Sequence, residues 1–221
     1  DIDLIRGDID TARRRFLEAI AFSDEVGDRE LWTECQVRLA EVSFFDGDAE
    51  TAQKLFAAAN VVAEEIGSAE YALRAKVGMA RVLVQRRAVH EISSLIEQIQ
   101  LEAERLRSTI IVKESRFLAG ECYRISGEFG AASQAFSDAF NYAQDQQVFE
   151  LTMKCAVRLF ELDGTSKAQA QLVLTKLAQR YDVDNGVGAW AQLLKSPYFA
   201  FFADSLRSAS LNSVLPAVQT L

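Results

Sequence analysis

The chain has 221 residues, 49% apolar and 25% charged, enough to bury a substantial core as one domain or one continuous array. A net charge of −8 argues against nonspecific DNA or RNA binding, which needs a basic face to displace counterions from phosphate. No run of about 18 uncharged apolar residues is present to span a bilayer. The only prolines are Pro197 and Pro216, and Ala, Leu, Glu, Arg and Gln fill most of what precedes them, which predicts an all-helical fold. Cys35, Cys122 and Cys155 are odd in number, far apart and without a CxxC pair, a usage that suits a reducing compartment and makes the cytoplasm the expected location.

The first element follows the stretch RGDIDTARRRF at residues 6–16. Its Gly7 and Asp8 read as a turn and a helix-starting acid, and Ala12, Phe16 and Ala19 then make one apolar helical face. Forty residues on, Gly47-Asp48 precedes Ala52, Phe56 and Ala59 in the same phase. A weaker copy carries Arg87 for the glycine with Ile92, Ile96 and Ile99, and a third step restores Gly127-Glu128 with Ala132, Phe136 and Ala139. Four copies in register mark an internal repeat. The register also disposes of Arg6-Gly7-Asp8 as an adhesion signal, because Asp46-Gly47-Asp48 and Ser126-Gly127-Glu128 hold the same places.

Between these helices the periodicity predicts others over residues 31–45, 71–84, 111–125 and 151–162, so helix pairs alternate along the chain. The fourth unit is degenerate. Asp163-Gly164 arrives three residues early, and the helix expected over 168–181 has Leu174 and Leu177 where Phe and Ala would fall. Residues 182–188 are expected to end the helical pattern, and Ser196-Pro197 to open a last helix over 198–208 that caps the array. At the other end, Leu4 and Ile5 align with Phe44 and Phe45, the last turn of a helix whose body is absent. The expectation is a module whose natural chain continues upstream, with an N-terminal edge open to pairing with a second copy as a homodimer.

This grammar resembles the tetratricopeptide repeat, whose helix-turn-helix units show a small residue pair, an aromatic, then Ala-x-x-x-Phe. Ala119-Gly120-x-x-Tyr123 with Ala132-x-x-x-Phe136 carries the resemblance best; Leu39-Ala40 with Ala52 and Phe56, and Met79-Ala80 with Ile92 and Ile96, are looser copies. The period of 40 exceeds the family's usual length of about 34, and the closing proline is absent. The resemblance implies an all-α, right-handed α-α superhelix: a tetratricopeptide-like array over 1–181, with units near 28–67, 68–107, 108–147 and 148–181 after a truncated first one. Residues 182–221 then form a non-repeat C-terminal helical cap and tail.

The sequence offers no nucleophile with its base, no GxGxxG and no phosphate-cradling GxxxxGKS or GKT, and His90 stands alone beside Arg86 and Arg87, so an enzyme, a metal or another cofactor is not expected. Cys35 and Cys155 fall at one repeat position held by Ala75 and Ser115 in between, which reads as a requirement for a small side chain. Arg13-Arg14-Arg15 has Gln53-Lys54-Leu55 and Ser133-Gln134-Ala135 as its equivalents, so no basic stripe repeats.

Charges on the first helix of each pair are more informative. Glu34, Arg74, Glu114 and Lys154 share one repeat position; Glu41, Arg81, Glu121 and Glu161 share another. In the resembling family these helices line a concave groove that receives partners. That makes Glu34, Glu41, Phe44, Arg74, Arg81, Glu114, Phe117, Glu121 and Arg124 the candidate partner-binding residues. The competing reading of Glu34, Arg74 and Glu114 is a ladder of ion pairs between neighbouring helices. The expected function is a non-catalytic protein-protein interaction scaffold, the repeat region of a larger signalling or regulatory protein, with a protein or peptide as partner and neither nucleic acid nor membrane. The alternative is a ligand- or peptide-sensing module that controls an attached effector domain.

Overall fold

A computed structural model describes residues 8–162 and 167–185 of the chain. Among them lie nine helices: α1 (Ile9–Val26), α2 (Arg29–Phe45), α3 (Ala49–Glu65), α4 (Ala69–Gln85), α5 (Val89–Arg105), α6 (Thr109–Ile125), α7 (Phe129–Asp145), α8 (Phe149–Glu161) and α9 (Lys167–Asn185). No strand occurs among the described residues. From α1 to α8 each helix begins twenty residues after the last, so the forty-residue unit is two equal helices with equal turns. Each helix packs on the next in sequence. The first helices of successive pairs also touch, α2 on α4 and α4 on α6, which makes theirs the inner, concave layer.

The turns explain this regularity. Gly47 takes a left-handed φ of 86°, and the Asp48 N–H then reaches back to the Ser43 carbonyl at 2.9 Å, closing α2. Asp48 at once caps α3, its carboxylate accepting the Thr51 N–H at 3.0 Å. Where glycine is missing the same geometry persists: Arg87, Arg107 and Gln147 hold φ of 57°, 54° and 55°. The same reach-back hydrogen bonds form there, from the Ala88, Ser108 and Val148 N–H groups to the Leu83, Ala103 and Ala143 carbonyls, and hold side-chain-bearing residues in a conformation they ordinarily avoid.

The core sits between the helix layers. Phe56 of α3 and Phe136 of α7, at equivalent repeat positions, are fully buried. Each ring is wedged against a glycine. A Cβ on Gly78 of the following unit would stand 2.5 Å from Phe56 Cδ1, and one on Gly120 of the same unit 2.5 Å from Phe136 Cε1. One repeat position is thus pressed from both sides, by the first helix of its own unit and by that of the next.

At the C-terminal end, the expected break after residue 181 does not occur there. α9 runs four residues further, to Asn185. Arg180 pairs with Asp184 at 3.7 Å, and Asn185 Nδ2 donates to the Tyr181 carbonyl at 3.0 Å, so the acidic run closes a last helical turn. The early Asp163-Gly164 turn, the expected cap over 198–208, and Leu4 and Ile5 lie outside the described residues. No described helix is long and apolar enough to cross a membrane.

Candidate functional site

The inner layer is ionic, but its pairing is not the expected one. Arg74 turns along its own helix to Glu70 at 2.7 Å, and Glu34 instead accepts the Tyr71 hydroxyl at 3.1 Å. Glu114 bonds Arg81 of α4, whose guanidinium also lies 4.0 Å from Glu41 of α2. The closer contacts between neighbouring first helices join side chains 33 or 37 positions apart, and a level contact, Glu41 with Arg81 at 40, is longer, at 4.0 Å. In place of the level ladder Glu34-Arg74-Glu114 stands a chain Arg38-Glu41-Arg81-Glu114, whose first link runs along one helix at 3.1 Å, whose second is level and whose third is diagonal. Burial, reinforced by the Glu34 carboxylate, raises the Tyr71 phenol above its usual range and keeps it a donor.

Around this chain a cavity of about 610 Å³ opens between α2, α4 and α6. Its floor is buried and apolar, with Val37, Leu73 and Val77. One wall is charged, carrying Arg38, Glu41, Glu70, Arg74 and Arg81; the other presents Leu106, Ile110 and Ile111, with Ser108 and Glu114 beside them. Leu106 and Ile110 are exposed apolar groups, which gives the cavity two chemically distinct sides.

Toward the C-terminus the layer closes. Glu121 of α6 and Arg158 of α8 are each 2% exposed and meet through two contacts, Nε at 2.5 Å and Nη2 at 3.3 Å. Arg124 adds 2.8 Å to Glu121, and Arg158 donates to Glu161 at 2.8 Å. Burial pulls the Arg158 pKa down, but the Glu121 and Glu161 carboxylates overcome it, so the net shift is upward and the cation is retained.

Of the nine sequence candidates, Glu41, Arg74, Arg81 and Glu114 line the cavity. Glu34 is occupied with Tyr71, and Glu121 and Arg124 belong to the closed network. Phe117 is buried against Phe136, ring centroids 5.4 Å apart, so its ring is core rather than groove surface; small Gly120 lets α7 come close enough to cover it. Phe44 is half-buried and meets Phe45 edge-on at 5.5 Å. Sequence reasoning missed Arg38, Glu70, the Leu106-Ile110-Ile111 wall and Arg158. A signal for two of them was present: Arg38 and Arg158 share one repeat position, each three residues before a glutamate.

Among the described residues no three His, Cys, Asp or Glu side chains cluster as a metal site. All three cysteines are buried, and burial raises the Cys35 and Cys155 thiols, which disfavours the reactive thiolate.

No protein-family model matches the sequence, and no curated protein does. Among solved structures the chain is similar to a crystal structure of a Rap protein complexed with competence and sporulation factor, at 13% identity and a TM-score of 0.69, over 97% of this chain and 68% of that one. The fold is a tetratricopeptide-like helical solenoid. In it the cavity lies on the first helices of three successive tetratricopeptide-like units, so a single ligand there touches every unit it spans.

Proposed function

We propose that this tetratricopeptide-like array is a non-catalytic interaction scaffold, the repeat region of a larger signalling or regulatory protein, which holds a peptide or an extended segment of a partner protein between α2, α4 and α6. The observation that carries this reading is the two-sided cavity. An apolar floor and the Leu106-Ile110-Ile111 wall can take apolar side chains, while Arg38 pairs with Glu41 and Arg74 with Glu70 and the Tyr71 ring, all on their own helices, so both can turn to a ligand at small cost. The resemblance to a Rap protein complexed with a factor supports a binding role for such a fold. A second reading, ligand sensing that controls an attached effector, draws on Arg81: it bridges α2 and α6, so a ligand that recruits it alters how three units are held. The cytoplasm remains the proposed location.

The test places a photo-crosslinking residue at Ile110 inside the cavity and, separately, at Val61, which is exposed on α3. The expected result is a partner crosslinked from Ile110 alone and lost in Arg38→Glu with Arg74→Glu. Crosslinking from Val61 alone, or undiminished capture by the double variant, overturns the assignment of the cavity.

A further inference from the structure

The cavity between α2, α4 and α6 is lined by three guanidiniums and three carboxylates, yet the two signs are not equally available to a ligand. Arg81, 20% exposed, is shared by Glu41 and Glu114, so a ligand that drew either carboxylate away would weaken the hold on a largely buried cation. Arg38 and Arg74 stand differently. Turning Arg74 outward leaves Glu70, 67% exposed, to water, and turning Arg38 leaves Glu41 beside Arg81 at 4.0 Å. Glu70 moves as readily, but it offers a cationic ligand a single contact in water, where such a pair is worth little.

Arg38 and Arg74 are also neighbours. They lie 36 positions apart on α2 and α4, within the span of 33 to 37 over which adjacent first helices make their closer contacts. Each is turned along its own helix instead of toward the other, as two like charges would be. A carboxylate placed between them accepts from both, and charge-assisted bonds of this kind are roughly twice as strong as neutral ones. Opposite stand Leu106 and Ile110, both exposed, with Ile111. In an extended chain successive side chains point to opposite sides. An acidic residue directed at α2 and α4 therefore sends the next side chain to the wall at the start of α6, where an apolar group covers apolar surface. The volume of about 610 Å³ falls within the roughly 300–1,000 Å³ in which short ligands are held.

Given the cavity as the partner site proposed above, we infer that it selects an extended acidic segment in which carboxylate side chains alternate with apolar ones. One carboxylate lies between Arg38 and Arg74, and its apolar neighbour lies on Leu106 and Ile110. Alternation is a property of side chains, so the carboxylate is that of an aspartate or glutamate and not a chain terminus. Glu70 then sets the affinity from the protein's side: it competes with the ligand for Arg74 and repels the incoming carboxylate, so removing its charge tightens binding.

Fluorescence anisotropy with hexapeptides that carry a neutral fluorophore at the N-terminus and an amide at the C-terminus tests this, with circular dichroism to establish that each variant is folded. A peptide alternating aspartate with leucine should bind about tenfold more tightly than one alternating lysine with leucine, and than one holding the same aspartates and leucines in two blocks. Arg38→Gln and Arg74→Gln should each weaken it about tenfold, and Glu70→Gln should tighten it about threefold. A serine-leucine peptide with a free C-terminal carboxylate should bind no better than its amide. Failure of the aspartate-leucine peptide to bind, a preference for lysine, or equal binding of the blocked order overturns the inference. So does binding that survives both arginine variants, a terminal carboxylate that substitutes for the aspartates, or weaker binding by Glu70→Gln. A lysine-leucine peptide that crosslinks from Ile110 overturns this choice of ligand while leaving the cavity as the partner site; an aspartate-leucine peptide that crosslinks from Val61 alone overturns both.

Discussion

Replacing Arg158 with leucine tests how the C-terminal half of the inner layer is held. The sister position in the third unit is already leucine, Leu118, so the substitution is compatible with the repeat in shape. It removes both contacts to Glu121 and leaves that carboxylate, 2% exposed, with the partly exposed Arg124 at 2.8 Å. Breaking a buried pair from one side costs about 3–5 kcal/mol, because an uncompensated charge stays in the interior. For a chain of this length that corresponds to roughly a 6–15 °C fall in melting temperature. Glu121→Leu together with Arg158→Leu should recover most of the loss, since apolar groups of similar volume replace a buried pair at little net cost. Solenoid units contact only their neighbours, so amide exchange should quicken first in α8 and α9 while α2 to α4 stay protected. A single-variant loss below about 1 kcal/mol, or a double variant as unstable as the single, would refute the reasoning.

The left-handed turns predict that Arg87→Gly, Arg107→Gly and Gln147→Gly each stabilise the array by about 0.5–1 kcal/mol, the relief of an L-residue in that region less the added chain entropy; a urea midpoint that moves down in any of them contradicts this. The aspartate caps predict an acid response. The Thr11 backbone N–H, followed by its side chain, holds Asp8 below the usual carboxylate range, and the side chain and then the backbone of Thr51 do the same for Asp48. Because the folded pKa is depressed, this stabilisation is present above about pH 4 and is lost as the pH falls through the folded value. Amide exchange at the starts of α1 and α3 should therefore quicken below about pH 4, and Asp48→Asn should keep a cap at α3 while removing its pH step.

The forty-residue register was legible because it rests on local chemistry. A turn glycine, a capping aspartate and a small-large apolar face recur in sequence, and each is decided within a few residues. The structure reveals a twenty-residue step beneath it, which Arg87, Arg107 and Gln147 conceal by replacing the glycine that would announce the turn. The groove was legible only in part. Equal repeat positions suggested Arg74 between Glu34 and Glu114, but the offset of neighbouring helices is a property of the assembled solenoid and moves Glu114 to Arg81. Phe117 reads as surface by position, yet Gly120 admits α7 closely enough to bury it. Arg158 was invisible as a core residue, since nothing local distinguishes it from Arg38, which is partly exposed.

That contrast between Arg38 and Arg158 assigns different work to the two halves of the layer. Both arginines occupy one repeat position and pair with a glutamate three residues on. Around Arg38 the links of the chain are partly exposed, and each such pair is worth at most about 1 kcal/mol, so a ligand can exchange them one at a time. Around Arg158 the links are buried, and opening one leaves a charge without solvent. If the inner layer binds a partner as proposed, the exchangeable ion pairs are those centred on α2 and α4, while the buried pair holds α6 to α8 as a fixed support.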